Sequence, residues 1–343
     1  MLQDICSTKK SFAGITVVFG GDFQQTLPVV VRGTREDVVQ ATIQRSTVWN
    51  NVEILHLRQN MRLARNVDSH AFAEWLLDIG HGRSRLSEDT PTSITVPQFM
   101  RCNTENDLIE SVYGSMTDHP QVPPPDFFED RAILAARNND VRSLNSAILA
   151  HLPGDERTYF SADTYSIEGP DVQENDNIPV EFLHSLNASG LPIAELRLKV
   201  GSPIIILRNI DSKQGLCNGT RATIVHMSNR LLDIRLLTGD HAGERALIPR
   251  ITLSPSLTGF DFNIKLNRRQ FPIQLAFALT INKSQGQSVN YIGIDLRKPV
   301  FAHGQLYVAF SRATSSQSIK VLLADDSHTK KTRNVVYNEI LLD

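Results

Sequence analysis

Residues 20–30 constrain the fold of this chain more than any other stretch. They read Gly-Gly-Asp-Phe-Gln-Gln-Thr-Leu-Pro-Val-Val and follow a short apolar run, Ile15–Phe19. An apolar run closed by two glycines is typical of a buried parallel strand that ends in a tight turn. Because ligands of open α/β sheets bind beyond the carboxyl ends of strands, we expect Asp22, Gln24 and Gln25 to project toward a nucleotide phosphate. Taken alone, the stretch is also compatible with an ordinary loop.

Composition excludes several classes of protein. The 343 residues leave room for two or three domains, and a net charge of −2 gives no support for nucleic-acid binding by the chain as a whole. Any such site must therefore be a local patch. Three widely spaced cysteines form neither a disulfide framework nor a metal-binding pattern, which favours a reducing compartment. No apolar run approaches the roughly 18 residues that a membrane span needs, and the first residues do not resemble a signal peptide.

The first half of the chain predicts alternating strands and helices. Val52–Leu57 is read as a second short strand, and Asp68 as the cap of a helix with an apolar side formed by Phe72, Trp75, Leu76 and Ile79. A proline-rich stretch at 119–130 indicates a loop or a domain joint. We then expect a strand at 132–135, a helix from about Asn139, and irregular surface structure over 154–195.

The pattern changes near residue 198. Short strands are expected at 203–207, 220–227, 231–237 and 245–249, with turn residues between them. Four or five short strands within about 60 residues favour a small antiparallel barrel. The barrel should be an insertion, because α/β alternation resumes afterwards with strands at 272–279, 291–295 and 319–324.

Two segments in the last third carry polar groups suited to phosphate chemistry. Residues 280–288 place small and amide side chains at a turn that leads from a strand into a predicted helix, which offers backbone N–H groups to an anion. A plain capped helix is the alternative. Residues 304–313 form an apolar helical stretch that ends in Arg312. This arginine is either a solvated helix cap or a finger that neutralises charge on a transferring phosphoryl group.

Four segments occur in an order that resembles the late motifs of superfamily-1 ATP-dependent DNA helicases. They are Gly21–Gln24, Asn60–Arg62, Thr280–Gly286 and Val308–Ala313. The most similar type is the PIF type, which is related to the RecD helicases. Asn60–Arg62, with Leu76–Gly82 behind it, looks like the helicase domain of eukaryotic Helitron transposons.

The barrel region adds to this resemblance. Lys199–Gly201 and Leu216–Thr220 resemble the family's inserted small β fold, so that the resemblance covers roughly residues 11–326. It implies an α/β fold with RecA-like, P-loop NTPase motor lobes and a small inserted antiparallel β barrel. The implied domains are the end of the first lobe (1–60), the first part of the second lobe with an irregular insert (61–199), the barrel (200–265) and the remainder of the second lobe (266–343).

The resemblance also implies roles at the nucleotide. Gln24 would sense the γ-phosphate and couple it to the DNA site, while Arg62 and Arg312 would contact the γ-phosphate from the second lobe. Gln285 and Gly286 would line the nucleotide cleft. The alternative for Arg62 by itself is an ordinary surface arginine.

Three further residues would lie near the DNA backbone: Thr280, Asn282 and Ser284. Asn282 departs from the histidine that is commonest at this place in the family. Its amide can donate to a phosphate oxygen but cannot carry a charge. Gln25–Pro28 is a smaller departure, from the usual Gln-Leu-Pro-Pro.

Two motifs of such a motor are missing from the sequence. No Gly-x-x-x-x-Gly-Lys-Ser/Thr P-loop occurs, and residues 1–14 lack the acidic pair that holds magnesium. We therefore expect the C-terminal part of a helicase, inactive in ATP hydrolysis by itself, with no metal site of its own and with ATP and Mg²⁺ as cofactors that need the missing motifs.

The resemblance further implies 5′-to-3′ movement on single-stranded DNA, with single-stranded DNA and duplex junctions as partners and no membrane. An intracellular protein of the nucleus or mitochondrion is expected, in genome maintenance or transposition, and nothing indicates an oligomeric state. Two alternatives stay open. One is a catalytically dead transposon-derived or split-gene remnant that binds DNA, and the other is an unrelated α/β nucleotide-binding enzyme.

Overall fold

The computed structural model describes residues 2–57, 67–83, 92–117, 121–167, 178–186, 190–254, 264–324 and 330–341. The chain forms two compact units. Unit 1 comprises Met1–Val96, Pro299–Ser311 and Thr329–Asp343, and unit 2 comprises Pro97–Lys298 and Arg312–His328.

Helices occur in both units. In chain order they are α1 (Leu2–Ile5), α2 (Arg35–Gln40), α3 (Val67–His81), α4 (Glu105–Thr117), α5 (Asn138–His151), α6 (Val180–Ser185) and α7 (Gln305–Phe310). Among the described residues, no helix is long and apolar enough to cross a membrane.

Most of the strands belong to unit 2. In chain order the strands are β1 (Ser93–Thr95), β2 (Arg101–Cys102), β3 (Arg131–Ala135), β4 (Arg157–Phe160), β5 (Ala162–Ile167), β6 (Glu195–Leu198), β7 (Pro203–Ile206), β8 (Arg221–Met227), β9 (Leu231–Leu236), β10 (Arg245–Pro249), β11 (Ile251–Leu253), β12 (Ile264–Gln270), β13 (Ile273–Leu275), β14 (Ala278–Thr280), β15 (Tyr291–Leu296), β16 (Ile319–Leu323) and β17 (Lys331–Arg333).

A parallel sheet forms one core of unit 2. Its strand order is β14-β3-β15-β16-β2, and every pairing in it is parallel. Helices α4 and α5 pack against it and bury apolar residues such as Leu108, Leu144 and Ile148. Tyr113 of α4 is fully buried, and its hydroxyl donates to the carbonyl oxygen of Phe277 at 2.6 Å. The α/β fold and the β-α unit predicted near residue 132 are confirmed.

An antiparallel sheet forms a second core in the same unit. Its order is β10-β9-β8-β7-β13, and it encloses residues such as Ile204, Leu232 and Ile234. The four strands predicted between residues 203 and 249 are confirmed. The closing of this sheet into a barrel stays a prediction.

Two sequence predictions in unit 2 need correction. The stretch 154–195, expected to be mostly irregular, contains regular structure in its described part, because β4 pairs with β6, β5 pairs with β12 and α6 is helical. The expected single strand at 272–279 is two strands: β13 joins the antiparallel sheet, and β14 joins the parallel sheet. Both halves are largely buried, so one continuous apolar run conceals the change of sheet.

Unit 1 is built around α3 and α7. Phe72 and Ile79 of α3 are buried, and the rings of Trp75 and Phe310 form a T-shaped contact with a centroid distance of 4.9 Å. The predicted helix is therefore confirmed, although Asp68 lies within its first turn rather than before it. Strand β1 pairs antiparallel with β17.

The two strands predicted in unit 1, at 15–19 and 52–57, are not formed. Both segments are coil, with Val18 at 90% and Leu57 at 102% relative exposure. A parallel strand needs a neighbouring strand for its backbone groups and a covered face for its side chains. Within the described residues, neither segment has a strand partner.

Candidate functional site

The turn that carries Gln24 is fixed by an aspartate. We call residues Asp22–Leu27 the Gln24 turn. Asp22 Oδ1 accepts from the backbone N–H of Gln24 at 2.9 Å, and Asp22 Oδ2 accepts from the Tyr307 hydroxyl at 3.1 Å and from Gln25 Nε2 at 3.3 Å. Both carboxylate oxygens are thus used within unit 1. The expectation that Asp22 projects toward a phosphate is not supported.

The end of α3 positions the Gln24 side chain. His81 Nδ1 lies 2.7 Å from the Leu77 carbonyl oxygen, which can only accept, so Nδ1 carries the proton. His81 Nε2 is then free to accept from Gln24 Nε2, 3.1 Å away. A Cβ at Gly80 would lie 2.8 Å from Gln24 Oε1, so a larger residue at that position would displace the Gln24 side chain.

The residues before α7 hold the backbone of the same turn. His303 is 1% exposed, and its Nδ1 accepts from the Tyr337 backbone N–H at 2.8 Å. Its Nε2 therefore carries the proton and donates to the Phe23 carbonyl oxygen, also at 2.8 Å. Burial lowers the pKa of His303, which keeps this neutral tautomer.

Gly304 packs directly against the backbone of the Gln24 turn. Its φ is +70°, a left-handed conformation, and a Cβ there would lie 2.3 Å from the Gln24 carbonyl oxygen. Gly304 is the N-cap of α7. The helix begins against the Gln24 turn for this reason, and Arg312 follows two residues after its end.

Arg312, in unit 2, is 5% exposed. Its Nη1 donates to the Gln287 carbonyl oxygen at 3.0 Å, and its own carbonyl accepts from the Val289 N–H at 3.2 Å. Arg312 is therefore not a solvated helix cap, which was one of the two alternatives predicted from the sequence. The guanidinium is anchored to the segment that leads into β15.

The 280–288 segment contains a 3₁₀ turn, Ile281–Ser284, rather than the start of the predicted α-helix. Gly286 follows with φ of +80°. Ser284 is 3% exposed, and its hydroxyl donates to the Ile281 carbonyl oxygen at 2.7 Å. Thr280 and Asn282 are half-buried. The Ser284 hydroxyl is thus already used, and so are the backbone N–H groups of Gln285 and Gln287, which donate to the carbonyl oxygens of Asn282 and Ser284.

Strand register separates the predicted site residues into two groups. Thr280 is level with Ala135, and Tyr291 is level with Arg131, on the same strand β3. Four residues of a strand span about 13 Å. Thr280 thus lies at the carboxyl ends of the parallel strands, whereas Gln287 precedes β15 at the amino ends, and Arg312 donates to Gln287 there.

An open cleft of about 440 Å³ lies beside Gln285 and Gly286, which are both exposed. It is lined by Glu129, Asn218–Arg221, Thr238, Gly239, Lys283 and Gln285–Ser288. Lys283 is a cation that the sequence reasoning missed. Burial lowers its pKa, and its Nζ donates to Gln274 Oε1 at 3.0 Å.

Arg62 lies outside the described residues. Among the residues that are described, no three His, Cys, Asp or Glu side chains gather in a way that could hold a metal ion. With Asp22 occupied in its turn, the carboxylates described here do not fit a Mg²⁺ site. The sequence reasoning assigned no role to His81, although it lies within the Leu76–Gly82 segment of the resemblance, or to His303. The only local signal was a His-Gly pair directly before a helix.

Family models match two parts of the chain. Residues 1–90 match the PIF1-like helicase family, and residues 181–227 match the 2B domain of DNA helicase Pif1. The ATP-dependent DNA helicase PIF1 of Rattus norvegicus is 34% identical over 320 residues, which cover 92% of this chain and 42% of that protein. The human protein of the same name is 32% identical over 328 residues, which cover 91% of this chain and 41% of that protein. The chain thus spans less than half the length of these relatives.

Solved structures show the same fold. The Pif1 helicase of Candida albicans is 23% identical, with a TM-score of 0.61 and coverage of 98% of this chain and 70% of that one. A Bacteroides Pif1 bound to single-stranded DNA is 22% identical, with a TM-score of 0.60 and coverage of 100% and 67%. The RecA-like α/β fold expected from the sequence is therefore confirmed.

Proposed function

We propose that this chain, which belongs to the PIF1-like helicase family, supplies the phosphate-sensing and DNA-tracking parts of an ATP-dependent DNA helicase. One observation carries the proposal. The Gln24 turn is hydrogen-bonded to His303 and Tyr307 and lies against Gly304, so the Gly21–Gln24 motif packs on the start of α7, the helix that contains the first residues of the Val308–Ala313 motif. Hydrolysis also needs a P-loop, and the activity is therefore proposed for a longer protein that contains one.

In such a protein Gln24 senses the γ-phosphate, and Arg312, with Arg62, neutralises its charge during transfer. Arg312 is anchored to a carbonyl oxygen that a phosphate oxygen can replace as acceptor. Gln285 and Gly286 border the nucleotide. The anchored guanidinium supports this role, because a side chain that is already immobilised loses little entropy when it binds a phosphate.

DNA is proposed to pass the carboxyl end of β14, where Thr280 and Asn282 lie, with movement in the 5′-to-3′ direction. The separation of Thr280 from Arg312 along the strands supports a division between a DNA side and a nucleotide side. The Bacteroides relative bound to single-stranded DNA is a further support for this class of partner. Contacts should be mainly to the phosphate backbone, and therefore sensitive to salt.

The exposed apolar segments 15–19 and 52–57 fit the same proposal. We expect them to become strands when further strands and helices of a first motor lobe are present, because their apolar side chains then find a covered face.

DNA binding by the 343-residue chain tests the proposal. Asn282→Asp places a carboxylate where Asn282 would face a phosphate, and we expect it to weaken the binding of a labelled single-stranded oligonucleotide several-fold at low salt. The matched control is Asn106→Asp, which adds the same charge at an exposed position of α4. Equal affinities of the two variants would overturn the DNA role of the 280–284 turn. DNA binding without ATP hydrolysis in a longer protein with a P-loop would instead favour the remnant.

A further inference from the structure

One asparagine of unit 2 binds the backbone where the chain passes from the antiparallel sheet to the parallel sheet. Asn145, on α5, is 6% exposed. Its Oδ1 accepts from the Ala278 backbone N–H at 2.8 Å, and its Nδ2 donates to the carbonyl oxygens of Ala278 and Leu275 at 3.0 Å and 3.3 Å. Because an N–H can only donate and a carbonyl can only accept, these partners decide which amide atom is the oxygen. Both donors of the side chain are therefore used on one short stretch of backbone.

The Asn145 amide takes the place of a neighbouring strand beside β14. This strand is at the edge of the parallel sheet and pairs with β3. The Phe277 carbonyl oxygen accepts from the Ile133 N–H of β3 at 3.0 Å, so the next residue, Ala278, directs its N–H and carbonyl away from β3. Asn145 binds both of these groups, as a residue of a further strand would. Ala278 is fully buried, so its backbone groups need such a partner.

The stretch that Asn145 holds leads directly into the 280–284 turn. Thr280, the last residue of β14, follows Ala278 by two positions and is the N-cap of the 3₁₀ turn. Its side chain makes no capping hydrogen bond there. The place of the turn thus depends on the backbone of β14, and Asn145 holds the first residue of that strand.

Two other side chains hold the same region, but each at a single point. The Tyr113 hydroxyl donates to the Phe277 carbonyl oxygen, which also has the Ile133 N–H as a donor. Lys283 Nζ, within the turn, donates to Gln274 Oε1 of β13 at 3.0 Å. Asn145 differs from both because it binds the N–H and the carbonyl of one residue and a carbonyl of β13 at the same time.

We propose that Asn145 is a positioning residue for the 280–284 turn, and that its amide sets where Thr280 and Asn282 lie relative to a bound phosphate backbone. Asn145 acts through the backbone of β14 rather than by touching the ligand. Groups that bind a ligand must be held within about 0.5 Å of the productive geometry by packing and hydrogen bonds behind them. The identity of the ligand rests on the proposed function, whereas the positioning of the turn does not.

Asn145→Asp tests this role. It keeps the shape of the side chain and an acceptor for the Ala278 N–H, but it replaces two donated hydrogen bonds by oxygen atoms that face carbonyl oxygens. The matched control is Asn334→Asp in unit 1, since Asn334 is 2% exposed and its Nδ2 donates to the Ile79 carbonyl oxygen at 2.8 Å. At a temperature well below both melting transitions, we expect only Asn145→Asp to speed amide exchange over residues 278–284. It should also weaken the binding of a labelled oligothymidylate several-fold at low salt, while the control retains the affinity of the unaltered chain.

A double variant separates positioning from general destabilisation. If Asn145 acts through the turn, adding Asn145→Asp to Asn282→Asp should weaken binding little further, because the same contact is already lost. A loss equal to the product of the two single losses would overturn the proposal. Should Asn145→Asp not fold, Asn145→Ser, which only shortens the side chain, is compared with Asn334→Ser in the same measurements and with the same expected difference.

The two proposals can fail separately. If Asn282→Asp weakens binding but Asn145→Asp matches Asn334→Asp in exchange and affinity, the positioning role is overturned and the proposed function stands. If Asn282→Asp binds as tightly as Asn106→Asp while Asn145→Asp still speeds exchange over 278–284, the DNA role of the turn is overturned and the positioning role is supported.

Discussion

His303 Nε2 donates to the carbonyl oxygen of Phe23 at 2.8 Å, and this hydrogen bond joins positions 280 residues apart in the chain. Because Tyr337 donates its N–H to the other ring nitrogen, only the neutral tautomer with a proton on Nε2 satisfies both contacts. A doubly protonated ring would set two donors against each other. The hydrogen bonds and the burial of the ring therefore require the same protonation state.

The first prediction concerns pH. Burial lowers the pKa of His303 in the folded state below its unfolded value of about 6.5. The unfolded chain thus binds the proton more readily, so the stability due to His303 is complete above about pH 6.5 and is lost as the pH falls below it. In urea unfolding followed from pH 8 to 5, His303→Ala should be destabilised by about 1–3 kcal/mol at pH 8 and should lose this part of the pH dependence. His151→Ala, at an exposed position, is the control. A pH profile of His303→Ala parallel to that of the unaltered chain would contradict the assignment.

The second prediction concerns Gly304. Alanine there pays about 1–2 kcal/mol for a left-handed conformation, and its Cβ also meets the Gln24 carbonyl oxygen, which cannot move away without shifting the turn. Gly14 has a similar φ of +80°, but the nearest atom to its added Cβ is the Lys10 Cδ at 3.6 Å. We expect Gly304→Ala to lower the free energy of unfolding clearly more than Gly14→Ala, and to speed amide exchange over residues 22–27. If both variants lower the free energy of unfolding equally, the close approach of Gly304 to Gln24 does not contribute to stability.

The third prediction concerns the Arg268–Asp163 pair, whose side chains are both fully buried. Arg268 also donates to the carbonyl oxygens of Leu183, Leu186 and Pro192. Removing one partner of such a pair leaves an uncompensated charge, so Asp163→Asn should cost about 3–5 kcal/mol in thermal or urea unfolding. The double variant Asp163→Leu, Arg268→Met should not restore full stability, because the three carbonyl oxygens lose their donor. A double variant as stable as the unaltered chain would show that these carbonyl contacts contribute nothing.

The fourth prediction concerns catalysis. The 343-residue chain should not hydrolyse ATP at a measurable rate, and robust activity from it would contradict the need for a P-loop.

In a longer protein that contains a P-loop, Arg312→Ala should reduce kcat by about 10³–10⁵. Arg312→Lys should be nearly as slow, because lysine lacks the planar fork that contacts two phosphate oxygens. Nucleotide affinity should change less than kcat, since the contact acts mainly in the transition state. Arg142→Ala, far from these motifs in sequence and exposed on α5, serves as the control, and normal turnover in Arg312→Ala would remove Arg312 from the mechanism.

Local patterns in the sequence were sufficient to predict those elements whose packing produces a regular spacing of buried apolar residues. The period of buried residues in α3 and α5, and the apolar core of β3, β15 and β16, marked those elements because each buries one stripe or both faces. The strands from β7 to β10 follow one another in the chain and pair with their sequence neighbours, so the turn residues between them located them. The strands β4, β5 and β6 escaped notice because their partners are distant in the chain and because β5 directs a charged residue, Asp163, into the interior.

For the candidate site too, some features could be predicted from the sequence and others depended on the tertiary structure. By itself the sequence determined the family, since the ordered motifs around Gln24, Thr280 and Arg312 can be recognised as strings of residues. Only the tertiary structure decided that Asp22 is used within its own turn, that Ser284 is buried, and that His81, His303 and Gly304 hold the Gln24 turn. The physical reason is that hydrogen bonds and steric contacts depend on the distance between atoms, and atoms within 3 Å of each other can belong to residues hundreds of positions apart. A sequence states which groups a chain carries, and the packing of α3 and α7 decides which of those groups meet.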